Sequence, residues 1–162
     1  MSQQTNVITG RRALDERTAW YMGHLFTFLI TGEESDGQFA LIEATIQQGL
    51  EPPPHTHERE NELFYILAGE IRVVIGDAVV TGTPGMAVLM PRGVSHGFQL
   101  QTPEAHALIL CTPAGVERYF QEFSEPAGAL TLPPPAATPP DIPRLIAAGE
   151  RYGVVFLPPP AA

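Results

Sequence analysis

The feature that most constrains this chain is a pair of histidines, His55 and His57, separated by a single residue. Side chains alternate along a β-strand with a period of two, so both imidazoles would lie on one face of a strand. On a helix, residues two apart diverge by about 200°. Glu62 follows after a short polar segment, and His96 lies in a later β-rich stretch. We therefore predict a metal site built on strands.

The predicted ligand set consists of three imidazoles and one carboxylate, from His55, His57, Glu62 and His96. This set suits Fe, Ni, Mn, Co, Cu or Zn, and it leaves coordination positions open for a substrate. We expect one divalent transition metal per chain, and the pattern leaves the choice among these metals open. Glu62 is also the candidate catalytic residue, because a carboxylate at the metal can accept a proton from a substrate hydroxyl. The alternative is that Glu62 only balances charge.

Glycines and prolines frame these ligands at fixed distances. The segment from Gly49 to Gly69 matches the pattern G-x5-H-x-H-x(3,4)-E-x6-G, and the segment from Gly85 to His96 matches G-x5-P-x-G-x2-H. Both patterns are those of the cupin family, which this sequence therefore resembles. The asparagine that closes the second family motif is replaced by Leu100. The resemblance implies an all-β fold, the cupin double-stranded β-helix or jelly-roll barrel.

Short β-rich segments separated by Gly and Pro turns support the same fold class. The predicted strands are Met22–Ile30, Gln38–Gln47, Asn61–Leu67, Glu70–Ile75, Ala78–Thr81, Met86–Met90, His96–Leu100 and Ala105–Cys111. Apolar residues at helical spacing predict short C-terminal helices over Ala114–Phe123 and Asp141–Glu150, and a strand over Val154–Phe156. We expect residues 1–128 to form a barrel with N-terminal strands and a short helix. Residues 129–162 would form a Pro-rich arm docked on its own or a partner's barrel.

Composition narrows the range of partners. A formal net charge of −9 argues against nucleic acid and anionic membranes, and the absence of lysine excludes Schiff-base catalysis. The first residues lack a basic patch followed by an apolar stretch, so a cytoplasmic location is expected. Cys111 lies in an apolar run and is expected to be a buried small hydrophobe. His24 and His106 lack partner spacing and are expected to be satisfied or surface imidazoles.

Strand alternation also predicts what surrounds the metal. Phe64 and Ile66 share the face of Glu62, and Phe98 and Leu100 share the face of His96, which predicts an apolar, aromatic substrate pocket. The alternative is that some of these side chains fill the far end of the barrel. Three further side chains, Leu63, Tyr65 and Leu67, point the other way and are candidates for a homodimer interface.

Phrases such as Pro52-Pro-Pro-His-Thr-His57 and Pro91-Arg-Gly-Val-Ser-His-Gly-Phe98 look like the quercetin 2,3-dioxygenase branch of cupins. In that branch a divalent metal on three His and one Glu binds a flavonol, and O2 opens the heterocycle with loss of carbon monoxide. The resemblance implies a metal-dependent dioxygenase that acts on a hydroxylated aromatic or enolisable compound, with Glu62 as the base. A metal-dependent isomerase or lyase and a non-catalytic small-molecule-binding cupin stay open as alternatives.

Overall fold

The structure, a computed structural model, describes residues 7–158. Two antiparallel sheets dominate it, which confirms the all-β jelly-roll prediction. Its elements are β1 (Thr18–Tyr21), β2 (His24–Ile30), β3 (Ala40–Gln47), β4 (His55–His57), β5 (Asn61–Ala68), β6 (Ile71–Ile75), β7 (Ala78–Gly82), β8 (Ala87–Met90), β9 (His96–Leu100), β10 (Glu104–Thr112), α1 (Glu117–Glu122), β11 (Ser124–Pro126), α2 (Ile142–Arg151) and β12 (Val154–Phe156).

The larger sheet has the order β11-β1-β2-β3-β10-β5-β8, and the smaller has the order β12-β4-β9-β6-β7. Alternation along the strands builds the core between them. In β3, for example, Ile42, Ala44 and Ile46 are buried while the residues between them are partly exposed. The inward side chains of both sheets, including Phe64 and Val73, belong to one apolar cluster. Burial of such side chains is the main force that holds the two sheets together.

The first hairpin differs from the predicted single strand over Met22–Ile30, which is wrong at its start. Met22 and Gly23 form a turn with φ values of 49° and 88°, and Tyr21 pairs with His24 across it. Two consecutive positive φ values are typical of the type I′ turn that favours right-handed strand twist in two-residue hairpins. The sequence Met-Gly lacks the Asn or Asp that usually marks this turn, so β1 was absent from the sequence-based prediction.

The two helices are short, and no helix within residues 7–158 combines the length and the apolar character needed to cross a membrane. Helix α1 begins at Glu117, later than predicted, because Gly115 has a φ of 149° and interrupts the helical pattern. Helix α2 begins as predicted: Asp141 Oδ1 accepts a hydrogen bond from the Arg144 backbone N–H at 3.1 Å. Gly153, with a φ of 72°, ends this segment before β12.

In this structure the arm lies on the chain's own barrel. Strand β12 extends the smaller sheet by pairing with β4, and the Tyr119 hydroxyl of α1 donates to the Leu145 carbonyl of α2 at 3.2 Å. Arg151 and Tyr152 both donate to the Glu122 carboxylate at 2.8 Å. The division into residues 1–128 and 129–162 stays a prediction, and residues 1–6 and 159–162 lie outside the described residues.

Candidate metal centre

The fold brings the four predicted ligands together from both sheets. His55 and His57 occupy alternate positions of β4, and both are buried, as the H-x-H spacing requires. His55 lies directly opposite His96 of β9 in the smaller sheet. Glu62 comes from β5 of the larger sheet, on its inward face. The candidate site therefore lies between the two sheets, at one end of the core.

One potential donor atom from each of these residues lies within 4.8 Å of the others. Glu62 Oε2 is 3.3 Å from His57 Nε2 and 3.3 Å from His96 Nε2. The His55 ring lies 5.0 Å from the His57 ring and 4.6 Å from the His96 ring, between centroids. Side chains that converge this closely can place three nitrogens and one oxygen around a single ion.

The unsatisfied atoms at this site support the same interpretation. His57 Nε2 and His96 Nε2 are buried and have no hydrogen-bond partner within residues 7–158. All four side chains are buried, with at most 6% of any residue exposed. Buried polar atoms without partners are costly, and a bound cation would satisfy both nitrogens and the Glu62 carboxylate at once. The donor set thus fits a divalent transition metal.

Two of the histidines have their outer nitrogen fixed by a backbone carbonyl. His55 Nδ1 lies 2.8 Å from the Pro53 oxygen, and His96 Nδ1 lies 3.2 Å from the Val94 oxygen. A carbonyl oxygen only accepts, so each Nδ1 carries the proton and each Nε2 presents its lone pair to the centre of the site. The backbone thereby selects the tautomer that can ligate a metal.

Electrostatics in the metal-free site keep Glu62 charged. Burial alone would raise the pKa of Glu62, but the adjacent His57 and His96 outweigh it and hold this pKa well below its ordinary value. Burial and the charge of His57 lower the pKa of His55 to about 4, so its ring is neutral near pH 7. Burial would lower the pKa of His57, but the adjacent Glu62 carboxylate outweighs it and raises this pKa, so metal binding would displace a proton from His57.

Comparison with known proteins agrees with this geometry. The sequence profile of the cupin domain family matches residues 42–113, which span β3 to β10 and contain all four candidate ligands. Residues 42–113 therefore form a cupin domain in the central part of this chain. The predicted family resemblance is therefore confirmed.

Two curated relatives of this cupin are quercetin 2,3-dioxygenases. The protein from Aspergillus japonicus is 29% identical over 103 residues, which cover 59% of this chain and 29% of that protein. The protein from Bacillus subtilis (strain 168) is 23% identical over 94 residues, covering 58% of this chain and 28% of that protein. The matched region therefore spans less than a third of the length of either relative.

Among solved structures, a predicted oxalate decarboxylase from Thermotoga maritima is similar, with a TM-score of 0.56 and 19% sequence identity. The match covers 62% of this cupin and 96% of that chain. At this level of identity the likeness shows the fold alone.

The side chains beside Glu62 are apolar. Met90 of β8 and Cys111 of β10 occupy the register positions on either side of it, and Cys111 is fully buried, as expected for a small hydrophobe. One pleat further along the strands, the Phe64 and Phe98 rings pack edge to face, with centroids 5.4 Å apart. Phe64 belongs to the apolar core, and Phe98 is partly buried against it.

Ile66 and Leu100 also face inward and are buried, but they lie four residues from Glu62 and His96, respectively, along their strands. At about 3.4 Å per residue, this places their backbone roughly 14 Å from the backbone of Glu62 and His96. Gly82 of β7 packs closely against Ile66 here, because a Cβ on it would lie 2.3 Å from Ile66 Cδ1. The part that Phe64, Ile66, Phe98 and Leu100 play in a substrate pocket stays a prediction.

The two remaining histidines of this cupin lie away from the candidate site. His24 is buried; its Nδ1 accepts from the Gln47 backbone N–H at 3.2 Å, and its Nε2 lies 3.2 Å from the Leu50 oxygen. His106 pairs with Glu43 at 2.8 Å on the outer face of the larger sheet. Both are satisfied by protein groups, as expected from their lack of ligand spacing.

Two residues near the site were not found by sequence reasoning. Phe156 of β12 lies opposite His55, with ring centroids 5.6 Å apart, and so covers the outer side of one ligand. Glu60 is 2% exposed, and its Oε2 is buried without a hydrogen-bond partner among the described residues. The sequence offered only the position of Glu60 between two ligand-bearing strands, and that position did not indicate its burial.

Proposed function

We propose that this cupin is a metal-dependent dioxygenase that opens a hydroxylated aromatic or enolisable substrate with O2. The observation that carries the proposal is the buried set of three histidines and one glutamate, within a region similar to two quercetin 2,3-dioxygenases. A bound divalent metal would polarise the substrate oxygen and bring it together with O2. His55, His57, Glu62 and His96 would hold that metal.

Glu62 has the properties of a proton acceptor in this reaction. Its carboxylate is ionised, and both short distances to the histidines involve Oε2, which leaves Oε1 for a substrate hydroxyl. A base at that position would remove the hydroxyl proton as the substrate binds and so increase the electron density that reacts with O2. Apolar neighbours such as Met90 and Cys111 would exclude water and keep the site dry.

The chemical character of the interior favours a flat, uncharged substrate. The Phe64 and Phe98 rings pack against each other one pleat from the ligands, and aromatic substrate rings could pack against them in turn. Arg72 lies between the buried residues Ile71 and Val73 of β6 and therefore faces outward. A sugar phosphate would need a basic group at the site, and Arg72 does not supply one.

The proposal can be tested with the protein as isolated. Elemental analysis would first identify the bound metal, and O2 uptake would then be measured across flavonols, β-diketones and catechols with metal-replete protein. O2 consumption coupled to ring or chain cleavage is the expected result. Stoichiometric metal without O2 consumption on any of these substrates would contradict the dioxygenase proposal and favour an isomerase, a lyase or a binding protein.

We also propose that the working form is a homodimer. The outer face of the larger sheet carries an apolar row in which Leu63 lies between Leu89 and Leu110. Tyr65, Leu67 and Leu89 are among the exposed large apolar residues. A sheet face with several adjacent exposed apolar side chains is typical of a protein–protein interface.

A further inference from the structure

The three histidines of the candidate metal centre differ in how their outer nitrogens are held. His55 and His96 donate from Nδ1 to the carbonyls of Pro53 and Val94, respectively. His57 Nδ1 is buried and has no partner among the described residues. Histidines that bind metals almost always donate their second N–H to a carboxylate, a carbonyl or water. His57 therefore needs a partner that the backbone does not provide.

Glu60 is the side chain placed to fill this need. It lies three residues after His57, at the end of the short segment that joins β4 to β5. In the part of the chain that the structure describes, its Oε2 is a buried acceptor that lacks a donor, while His57 Nδ1 is a buried atom that lacks an acceptor. Burial raises the pKa of Glu60 to about 7, and the charge of His57 opposes this shift.

The other oxygen of this carboxyl group is confined by the segment before α1. A Cβ on Gly115 would lie 3.1 Å from Glu60 Oε1. Gly115 is itself held by Glu117, whose Oε2 accepts from its backbone N–H at 2.6 Å and whose Oε1 accepts from the Gly32 N–H at 3.0 Å. Glu117 thus fixes the wall against which the Glu60 side chain rests, and this restricts the directions that Oε2 can take.

We propose that Glu60 is a positioning residue for the metal centre: its Oε2 accepts the Nδ1 proton of His57, directly or through one water molecule. This contact selects the tautomer in which Nε2 is free to ligate, and it makes the imidazole a stronger donor to the metal. The inference rests on the four-residue metal site and does not require dioxygenase activity.

The test uses full-length protein reconstituted with Co(II), which gives each ligating imidazole N–H a separate, strongly shifted proton NMR signal. Wild-type protein should show three exchangeable signals, one from each histidine. Glu60→Leu removes the acceptor, so the His57 N–H should exchange rapidly with solvent. Its signal should disappear or shift, while the other two signals stay in place. Co(II) affinity, measured by competition with a chelator, should fall by about 10- to 100-fold. Glu60→Gln keeps an acceptor oxygen and should give an intermediate affinity.

Two variants separate this role from a general effect on folding. Glu58→Gln removes a charge from an exposed side chain of the same segment and should leave the three signals and the affinity unchanged. Glu117→Gln weakens the support of Gly115 and should lower the melting temperature of the metal-free protein while keeping all three signals. Three unchanged signals in Glu60→Leu, or an affinity equal to that of Glu58→Gln, would overturn the proposal. Loss of turnover with normal Co(II) affinity and signals would also overturn it, because Glu60 would then act on the substrate.

Discussion

Phe156 lies directly opposite His55 across the β4–β12 pair, with the two ring centroids 5.6 Å apart. The C-terminal arm therefore supplies the edge strand next to the strand that carries two candidate ligands. Tyr119 of α1 extends this layer, since its ring contacts both Phe156 and Tyr152. The arm is thus part of the wall of the metal centre, although the cupin family match ends at residue 113.

Deletion of residues 129–162 should destabilise this cupin. The deletion removes the buried side chains of Leu145 and Val154, and it exposes the edge of β4 and the Tyr119 ring. Loss of this apolar burial should cost several kcal/mol and lower the melting temperature by roughly 10 °C. Calorimetry and light scattering would measure melting and mass. If the truncated protein keeps both its melting temperature and its oligomeric mass, the arm contributes nothing to the fold.

His57→Ala should remove most of the bound metal. The substitution deletes one of four converging ligands and leaves a cavity between the sheets, and three remaining ligands hold an ion weakly against competition. Elemental analysis of the purified protein would measure the loss. His106→Ala is the matched control, because His106 lies on the outer face and pairs with Glu43. Full metal occupancy in His57→Ala would refute the ligand assignment.

Glu62→Gln should separate metal binding from proton transfer. The amide keeps the size of the side chain and an oxygen that can ligate, but it cannot accept the substrate proton. With a verified substrate, we expect turnover to fall by about 10²–10⁴-fold, the usual contribution of acid–base catalysis. The metal content of the same sample provides the control. An unchanged rate would reduce Glu62 to a ligand that balances charge.

The strands whose buried and exposed side chains alternate along the chain could be predicted from the sequence. The H-x-H pair identified the face of β4, and the Gly and Pro turns separated the central strands with small errors at their ends. Strand β11 was missed because Ser-Glu-Pro has no apolar periodicity; its pairing with β1 depends on tertiary contacts. The strand over Val154–Phe156 was predicted, but its partner β4 was not, because local pattern does not determine which edge a distant strand joins.

At the metal centre, too, the sequence identifies residues whose direction follows from strand alternation and misses a residue whose burial depends on tertiary contacts. The four ligands could be identified because they occupy spaced positions on strands, where the pattern alone fixes their direction. Glu60 lies between two strands, and its burial depends on the later segment around Gly115 and Glu117. No local sequence signal predicts that a charged residue between Arg59 and Asn61 becomes 2% exposed.

Tyr65→Glu should convert the proposed homodimer to a monomer. Tyr65 lies on the outer face of β5 between Ala87 and Leu108, and it is 40% exposed in the isolated chain. A charge at this position would be buried without a partner in the interface, which strongly disfavours association. Val79→Glu, on β7 of the other sheet, is a control of similar exposure. Light scattering should show a dimer for wild type and Val79→Glu, and equal masses for all three proteins would exclude this face as the interface.

His24 should make the stability of the metal-free protein depend on pH. Burial lowers the pKa of His24 to about 4, against roughly 6.5 in an unfolded chain. As the pH falls below 6.5, the unfolded state therefore binds the proton before the folded state does. The free energy of unfolding consequently decreases between pH 6.5 and about pH 4. At 1.36 kcal/mol per pKa unit, the total decrease in the free energy of unfolding is roughly 3 kcal/mol.

Glutamine at position 24 can donate and accept as the neutral ring does towards Leu50 and Gln47, but it does not titrate. The free energy of unfolding, measured in urea between pH 7.5 and 4.5, should therefore fall less steeply for His24→Gln than for wild type. The pKa of His55 is also lowered in the metal-free site, but His55 is present in both proteins, so its contribution cancels in the difference. Parallel curves for the two proteins would show that His24 does not couple folding to pH.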